Sequence, residues 1–303
     1  MDLSLYHSIV DRVVRERKET GWNPTIVPWL NGCPLLHPNY YEIIERLVKE
    51  NLRAYITTNG MIWNEELFQL ITRENSLYQI IFSLDGLPFG FSRSIEKARP
   101  GSNRNKILDT IDRFAKLKIE KGNNLDMAVK IVHRGQDYEE IEDFIYYWLN
   151  QPEIDYVCVG KMLDEDTVDD MRIYPCRYSD PMFMVIKQDG DIVPCSYNHS
   201  ATNERWFQKN RNWPNVRNET PLLELYNSPP LREFREKQRE GIFEGPCKRC
   251  GFAYTGNGVR GQIEFRDPSK RNGKPIFYRA DYYNQFFSYK NSSKPDSFYE
   301  YKG

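Results

Sequence analysis

No stretch of this 303-residue chain reaches the roughly 18 to 20 uninterrupted apolar residues that span a bilayer, and its start, Met1-Asp2-Leu3-Ser4, lacks a charged-then-apolar leader. A cytoplasmic protein with no membrane partner is expected. An excess of either charge is lacking too. The 42 Lys and Arg against 43 Asp and Glu leave −1, too little for the long-range attraction that draws a protein to nucleic acid or to an anionic membrane. The cysteines number six, too few for a disulfide scaffold in a chain this long, and the close pair in Cys247-Lys248-Arg249-Cys250 has metal-ligand spacing. A reducing compartment fits that usage.

What is present is an alternation. Between Ser4 and about Gly160, segments of helical period alternate with short β-rich runs, the pattern of a parallel sheet covered by helices. Leu5, Ile9, Val10 and Val13 share one helical face. The strand-like Thr25-Ile26-Val27-Pro28-Trp29-Leu30 follows, then a helix with Tyr40, Ile43, Ile44, Leu47 and Val48 inward. Ala54 to Thr57 predicts a strand that ends in the turn signal Asn59-Gly60, and Asn64 can cap a helix carrying Leu67, Leu70 and Ile71. Further strands are predicted at Tyr78 to Phe82, Ala128 to Val132 and Tyr156 to Val159, with helices marked by Ile107, Leu108, Ile111 and Phe114 and by Ile141, Phe144, Ile145 and Trp148. Brief βα connections with right-handed crossovers would curl such a sheet into a barrel or part of one. Periodicity fades after Asp164-Glu165-Asp166. The expected domains are therefore residues 1–165, 166–260 and a polar, aromatic tail at 261–303. No internal repeat is present beyond the βα unit.

Cys176, Cys195, Cys247 and Cys250 form C-x18-C-x51-C-x2-C, and Pro precedes Cys176, Cys195 and Cys247. Four thiolates are a complete ligand set for tetrahedral zinc or for a [4Fe-4S] cluster, and such a staple suits a domain without a large core. Residues Phe183 to Pro194 predict two strands joined by Asp189-Gly190, which would bring Cys176 and Cys195 to the same end. The spacing favours a bound metal over four unrelated buried thiols and leaves zinc against iron open.

The run YPCRYSDPMFMVIKQDGDIVPCSY, followed by PLLELYNSPPLREFREKQREGIFEGPCKRCGF, resembles the SPASM or twitch extension of radical S-adenosylmethionine (SAM) enzymes. There a cysteine, a hairpin with "DG.v.pC" and a final "C..C" hold an auxiliary iron–sulfur cluster. Four cysteines fit the single-cluster twitch form. The N-terminal part resembles the same family. Its barrels show "GGEPLL", "TNG" and "SLDG" in order, where this chain has Asn31-Gly32-Cys33-Pro34-Leu35-Leu36, Thr58-Asn59-Gly60 and Ser83-Leu84-Asp85-Gly86. Arg99-Pro100-Gly101-Ser102-Asn103 is also similar to SPASM-type members. The resemblance implies an α/β fold: a partial (β/α)6 barrel lacking its first strand and cluster loop, with a small C-terminal cysteine-rich domain.

It also implies SAM contacts at Gly32, Cys33 and Asn59, with Ser83 and Asp85 near the ribose, and an auxiliary [4Fe-4S] cluster on Cys176, Cys195, Cys247 and Cys250. The implied activity is SAM-dependent hydrogen abstraction from a peptide or small molecule, with an electron donor such as flavodoxin or ferredoxin. Two departures stand out. The family's C-x3-C-x2-C, which binds the SAM-cleaving cluster, does not occur in these 303 residues, and Asn31 and Cys33 stand where the family has Gly and Glu. Met1 to Tyr6 resembles the point just after that loop, so the chain is expected to begin at an internal methionine. The rival expectation is a non-catalytic pseudoenzyme or binding protein that keeps one metal site. No catalytic residue is assigned.

Individual residues also carry plainer readings. Gly32, Asn59 and Gly86 each suit ordinary turns, and only as an ordered set do they point to a site. Cys33 with His37 has the form of a nucleophile and base, but Pro34 intervenes and no orienting third group is evident. Cys158, between Val157 and Val159, reads as a core residue. Lys130, His133 and Arg134 line or end a strand, facing either substrate or solvent. Arg266 to Lys274 is basic and Phe277 to Tyr289 aromatic, a combination that stacks on single-stranded nucleic acid. With so little net charge, a tail packed on the auxiliary domain is the favoured reading.

Overall fold

The computed structural model describes residues 1–29, 32–73, 79–84, 103–133, 138–161, 183–195, 212–249, 277–280, 284–288 and 299–300. Helix α1 (Leu3–Thr20) is followed by α2 (Tyr40–Lys49), β1 (Tyr55–Thr58), α3 (Glu65–Ile71), β2 (Gln79–Ser83), α4 (Arg104–Glu120), β3 (Asp126–His133), α5 (Tyr138–Leu149) and β4 (Tyr156–Lys161). The hairpin strands β5 (Val185–Ile186) and β6 (Ile192–Val193), helices α6 (Leu222–Tyr226) and α7 (Pro229–Arg239), and strands β7 (Phe277–Ala280), β8 (Asn284–Ser288) and β9 (Tyr299–Glu300) complete the order. Two compact units result: Thr25–Met162 with Gly258–Gly303, and Met1–Pro24 with Leu163–Asn257.

In the first of these, β1 to β4 lie side by side in chain order, all parallel. This is the α/β arrangement that the alternation predicts. Register aligns Thr57, Ile81, Ala128 and Tyr156 across the sheet, and two residues on Ser83, Lys130 and Cys158. Alternate residues face opposite sides. On one side Phe82 meets Phe114 of α4 edge-on at 5.7 Å, and Phe114 meets Phe68 of α3 at 5.0 Å. All three rings are fully buried, so this is the helix-covered face. Ile81, Ala128, Tyr156 and Cys158 cluster on the other side with Tyr55 packed against them. That second face also carries buried Gln79 and Ser83, and the Gln79 amide donates to the Tyr156 hydroxyl. A buried face with this much polar chemistry is what a barrel interior presents to a ligand.

The helices start where the sequence supplies caps. The Asn64 side chain accepts from the Leu67 N–H at 2.9 Å and the Asn103 side chain from the Lys106 N–H at 3.0 Å, pairing amides that helix geometry leaves without partners. At the other end of α4, Lys118 Nζ lies 2.6 Å from Asp155 Oδ2, which also accepts the Met127 N–H at 2.8 Å.

Two expectations are corrected. The strand expected at Thr25 to Leu30 is reduced, among the described residues, to one parallel bridge of Ile26 with Ala54. The Ile26 N–H donates to Arg53 O at 2.7 Å and the Tyr55 N–H to Ile26 O at 3.3 Å. The next rung needs an N–H from residue 28, and Pro28 has none. The C-terminal tail, expected on the auxiliary domain, instead extends the sheet. β8 runs antiparallel to β4, β7 to β8 and β9 to β7. Aromatic residues favour extended backbone, and the far side of β4 offers an unpaired edge.

In these compact units α1 groups with the cysteine-bearing part and the C-terminal strands with the sheet. Among the described residues no helix is long and apolar enough to cross a membrane.

Candidate functional site: strand-end loops and a cysteine hairpin

In the sheet unit, two of the expected SAM-contact positions, Asn59 and Ser83, lie at the carboxyl ends of the parallel strands β1 and β2, where βα loops build sites. Gly32 adopts φ 81° with no atom within 4 Å of where a Cβ would stand, so its backbone is open to approach by a ligand. Cys33 Sγ lies 3.3 Å from Thr58 Oγ1 at the end of β1. The same hydroxyl accepts the Gly60 N–H at 3.1 Å, and Asn59 Oδ1 accepts the Met61 N–H at 3.0 Å. Thr58 thereby ties the loop before α2 to the loop after β1. Neither composition nor spacing singles this residue out, although it opens the Thr58-Asn59-Gly60 motif.

Gly60, at φ 68°, stands so close to α4 that a Cβ would meet Ile107 Cγ2 at 2.9 Å. Ser83 ends β2, is buried, and shares its rung with half-buried Lys130. Lys130 thus belongs to the inner face. Asn31, Asp85 and Gly86 lie outside the described residues, as do Arg99 to Ser102, Arg134 and the side chain of His133. The Cys33 and His37 pairing does not form. Cys33 contacts Thr58, and His37 Nδ1 accepts the Asn39 N–H at 3.2 Å. Cys158 is fully buried in the sheet core, as its apolar neighbours predict.

In the other unit, β5 and β6 form the expected hairpin. The Lys187 N–H donates to Asp191 O at 2.8 Å and the Gly190 N–H to Lys187 O at 3.0 Å, around an Asp189-Gly190 turn with Gly190 at φ 96°. Partial burial works against the Asp189 carboxylate. The Asp191 N–H and the Lys187 ammonium outweigh it and hold its pKa below the usual 3.8. The hairpin leads through buried Pro194 into half-buried Cys195. Half-buried Cys247 lies in a 3-10 turn, Gly245–Arg249, where its N–H donates to Glu244 O at 3.0 Å. Lys237 of α7 holds that turn's approach, 2.8 Å from Glu244 and 2.9 Å from Glu233. Neither cysteine is in a disulfide. Cys176 and Cys250 lie outside the described residues.

Two charged residues on α1 were not expected to matter. Arg12, 4% exposed, donates from Nη2 to the carbonyls of Val216 and Asn218, both at 2.6 Å, and from Nη1 to that of Thr220 at 3.2 Å. Glu16, 3% exposed, accepts the N–H groups of Leu222 at 2.5 Å and Leu223 at 3.0 Å. It caps α6, whose own cap residue, Pro221, provides no side-chain bond. An Arg and a Glu four apart read as an ordinary exposed helix pair. The available signal was their spacing: residues 5, 9, 12 and 16 follow one helical stripe.

Parallel βα units with loops at their carboxyl ends, joined to a hairpin-led cysteine unit, define an α/β protein with an appended cysteine-bearing module. Comparison with known proteins gives that class its family. The radical SAM superfamily matches residues 5–146, and SPASM, an iron–sulfur cluster-binding domain, matches residues 173–251. The chain belongs to the radical SAM superfamily and carries a SPASM-type extension. No curated protein matches it in sequence.

Among solved structures it is similar to Streptococcus suis SuiB, with TM-score 0.56, 15% identity, 76% of this chain and 61% of SuiB covered. SuiB bound to S-adenosylmethionine gives TM-score 0.55 at 15% identity over 75% and 59% of the two chains. SuiB bound to the precursor peptide SuiA gives 0.54 at 15% identity over the same 75% and 59%. At this identity the likeness establishes the fold. The chain spans about three fifths of SuiB.

Proposed function

We propose that Cys176, Cys195, Cys247 and Cys250 hold an auxiliary [4Fe-4S] cluster in a protein built for SAM-dependent hydrogen abstraction, with a peptide as the first substrate class to test. One observation carries this reading. The two family segments occur in order, and the second spans all four cysteines of the C-x18-C-x51-C-x2-C set. Soft thiolates suit iron–sulfur clusters, and the described pair are half-buried thiols, one just after a hairpin and one within a tight turn.

SAM fits the strand-end loops. Gly32 leaves its backbone open, Asn59 and Gly60 shape the neighbouring loop, and Ser83 offers a hydroxyl on the inner face, with Asp85 next but one in sequence. When bound, SAM and a reduced cluster would supply the hydrogen-abstracting radical; the chain's part is to position the ligands and keep water out. Lys130, beside Ser83 on the inner face, would meet the substrate. Peptide comes first among substrate classes because SuiB has been solved with a precursor peptide. The electron would come from a flavodoxin or ferredoxin in the cytoplasm.

Catalysis needs the C-x3-C-x2-C that these 303 residues do not contain. The test is to read the genomic DNA upstream of the Met1 codon, in frame. A C-x3-C-x2-C following a β-rich run within some tens of codons supports the catalytic reading. A stop codon without it sinks that reading and leaves a binding protein with one metal site.

A further inference from the structure

We propose that Arg12 and Glu16 are positioning residues for the metal site: from α1 they fix the two chain segments that deliver Cys195 and Cys247. The proposal rests on reading the four cysteines as metal ligands.

The path to Cys195 begins at Arg12. Its guanidinium gathers the carbonyls of Val216, Asn218 and Thr220, a set of alternate acceptors that one planar fork can serve and a lysine ammonium would serve less well. The segment so held is bound to the hairpin by backbone. The Val216 N–H donates to Gly190 O at 2.8 Å, and the Ile192 N–H to Pro214 O at 2.8 Å. The Asn215 side chain adds a bond to Asp191 Oδ1 at 2.8 Å. Cys195 follows the hairpin's second strand by two residues. Arg12 therefore acts on a ligand through two hydrogen-bonded layers.

The path to Cys247 begins at Glu16. Its two oxygens take the first amides of α6. The end of that helix is tied to α7 by Arg235, which donates to Tyr226 O at 2.8 Å and lies 4.1 Å over the Tyr226 ring. From α7, Lys237 reaches Glu244 at 2.8 Å, and Glu244 O accepts the Cys247 N–H at 3.0 Å. The buried charges have well-defined roles because every partner named is backbone or a single opposed side chain. Burying a guanidinium and a carboxylate in one helix would be costly without such pairing. Their cost is understandable if the reward is the fixed geometry that a four-thiolate site requires.

The test uses the full chain, reconstituted anaerobically with iron and sulfide, in four forms: wild type, Arg12→Lys, Glu16→Gln and the exposed-face control Arg15→Lys. Metal loss to excess EDTA is followed by absorbance, and the far-ultraviolet circular dichroism of each metal-free chain is recorded beside it. Arg12→Lys and Glu16→Gln are expected to lose iron about tenfold faster than wild type, with the metal-free spectra unchanged and Arg15→Lys like wild type. Equal retention in all four forms would overturn the proposal. So would loss of helical signal in the two metal-free variants, which would make the pair a determinant of the whole fold. A wild-type chain that takes up zinc and no iron would overturn the cluster assignment alone, and the same retention comparison would then be read on zinc.

Discussion

Replacing Gly60 with alanine should destabilise the sheet unit by two separate physical effects. Gly60 holds φ 68°, and an alanine there adopts the left-handed region at about 1–2 kcal/mol. Its methyl would also stand 2.9 Å from Ile107 Cγ2 and 3.6 Å from Ile107 Cα. Ile107 is 4% exposed on the buried face of α4, so it cannot swing into solvent, and overpacking of this kind costs about 1–3 kcal/mol. The total, roughly 2–5 kcal/mol, corresponds to a fall in Tm of about 5–15 °C for a domain of this size.

Gly122→Ala is the matched control. It lies in the same unit at φ 59°, with nothing within 4 Å of its absent Cβ, and should show only the backbone part. Thermal unfolding of metal-free chains, followed by circular dichroism, measures both. A second check is the double variant. Ile107→Ala should cost less in the Gly60→Ala background than in wild type, since the contact it removes is then unfavourable. If Gly60→Ala is no more harmful than Gly122→Ala, the close approach of the loop to α4 is wrong.

Asp155→Asn should lower stability by roughly 2 kcal/mol, because one oxygen serves both Lys118 and the Met127 amide of β3, and the lysine loses its ion partner; denaturant midpoints would record it, and an unchanged midpoint would refute the pairing. Cys195→Ser and Cys247→Ser should each reduce reconstituted iron, whereas Cys33→Ser and Cys158→Ala should leave it unchanged, since one faces Thr58 and the other is sheet core. Metal analysis distinguishes these sets, and an iron loss on Cys33→Ser would contradict the assignment. Asp189 predicts an acid limit for the hairpin. Its folded pKa lies below 3.8, so the stability it contributes is present above 3.8 and is lost as pH falls through the folded value. Melting of metal-free Asp189→Asn should therefore vary less with pH below 3.8 than wild type, and identical acid profiles would refute this.

The parts of the fold that local pattern specifies were legible in the sequence. β1 to β4 emerged from short β-rich runs, and the cap at Asn64 sits where a polar residue precedes an apolar helix period. Position was harder than identity. The run at Thr25 to Leu30 has β composition, yet Pro28 removes the donor for a second rung, and composition does not register which residue must donate. The C-terminal strands are aromatic and polar without alternation, and their place is set by β4, more than a hundred residues earlier. Nothing local encodes that partner.

The candidate site divides along the same line. Motif order located Asn59 and Ser83 at strand ends, because loops at strand carboxyl ends follow from the βα pattern itself. It did not show Thr58 as the link between Cys33 and Gly60. Nor did it show that Arg12 and Glu16 are buried. Their partners are backbone groups some two hundred positions away, and a backbone group looks alike in every sequence.

The most direct test of the central claim is the iron and sulfide content of the full chain purified and reconstituted without oxygen. The account predicts about four of each per chain, the content of one [4Fe-4S] cluster, falling sharply in Cys195→Ser. Stoichiometric zinc with no sulfide would contradict it.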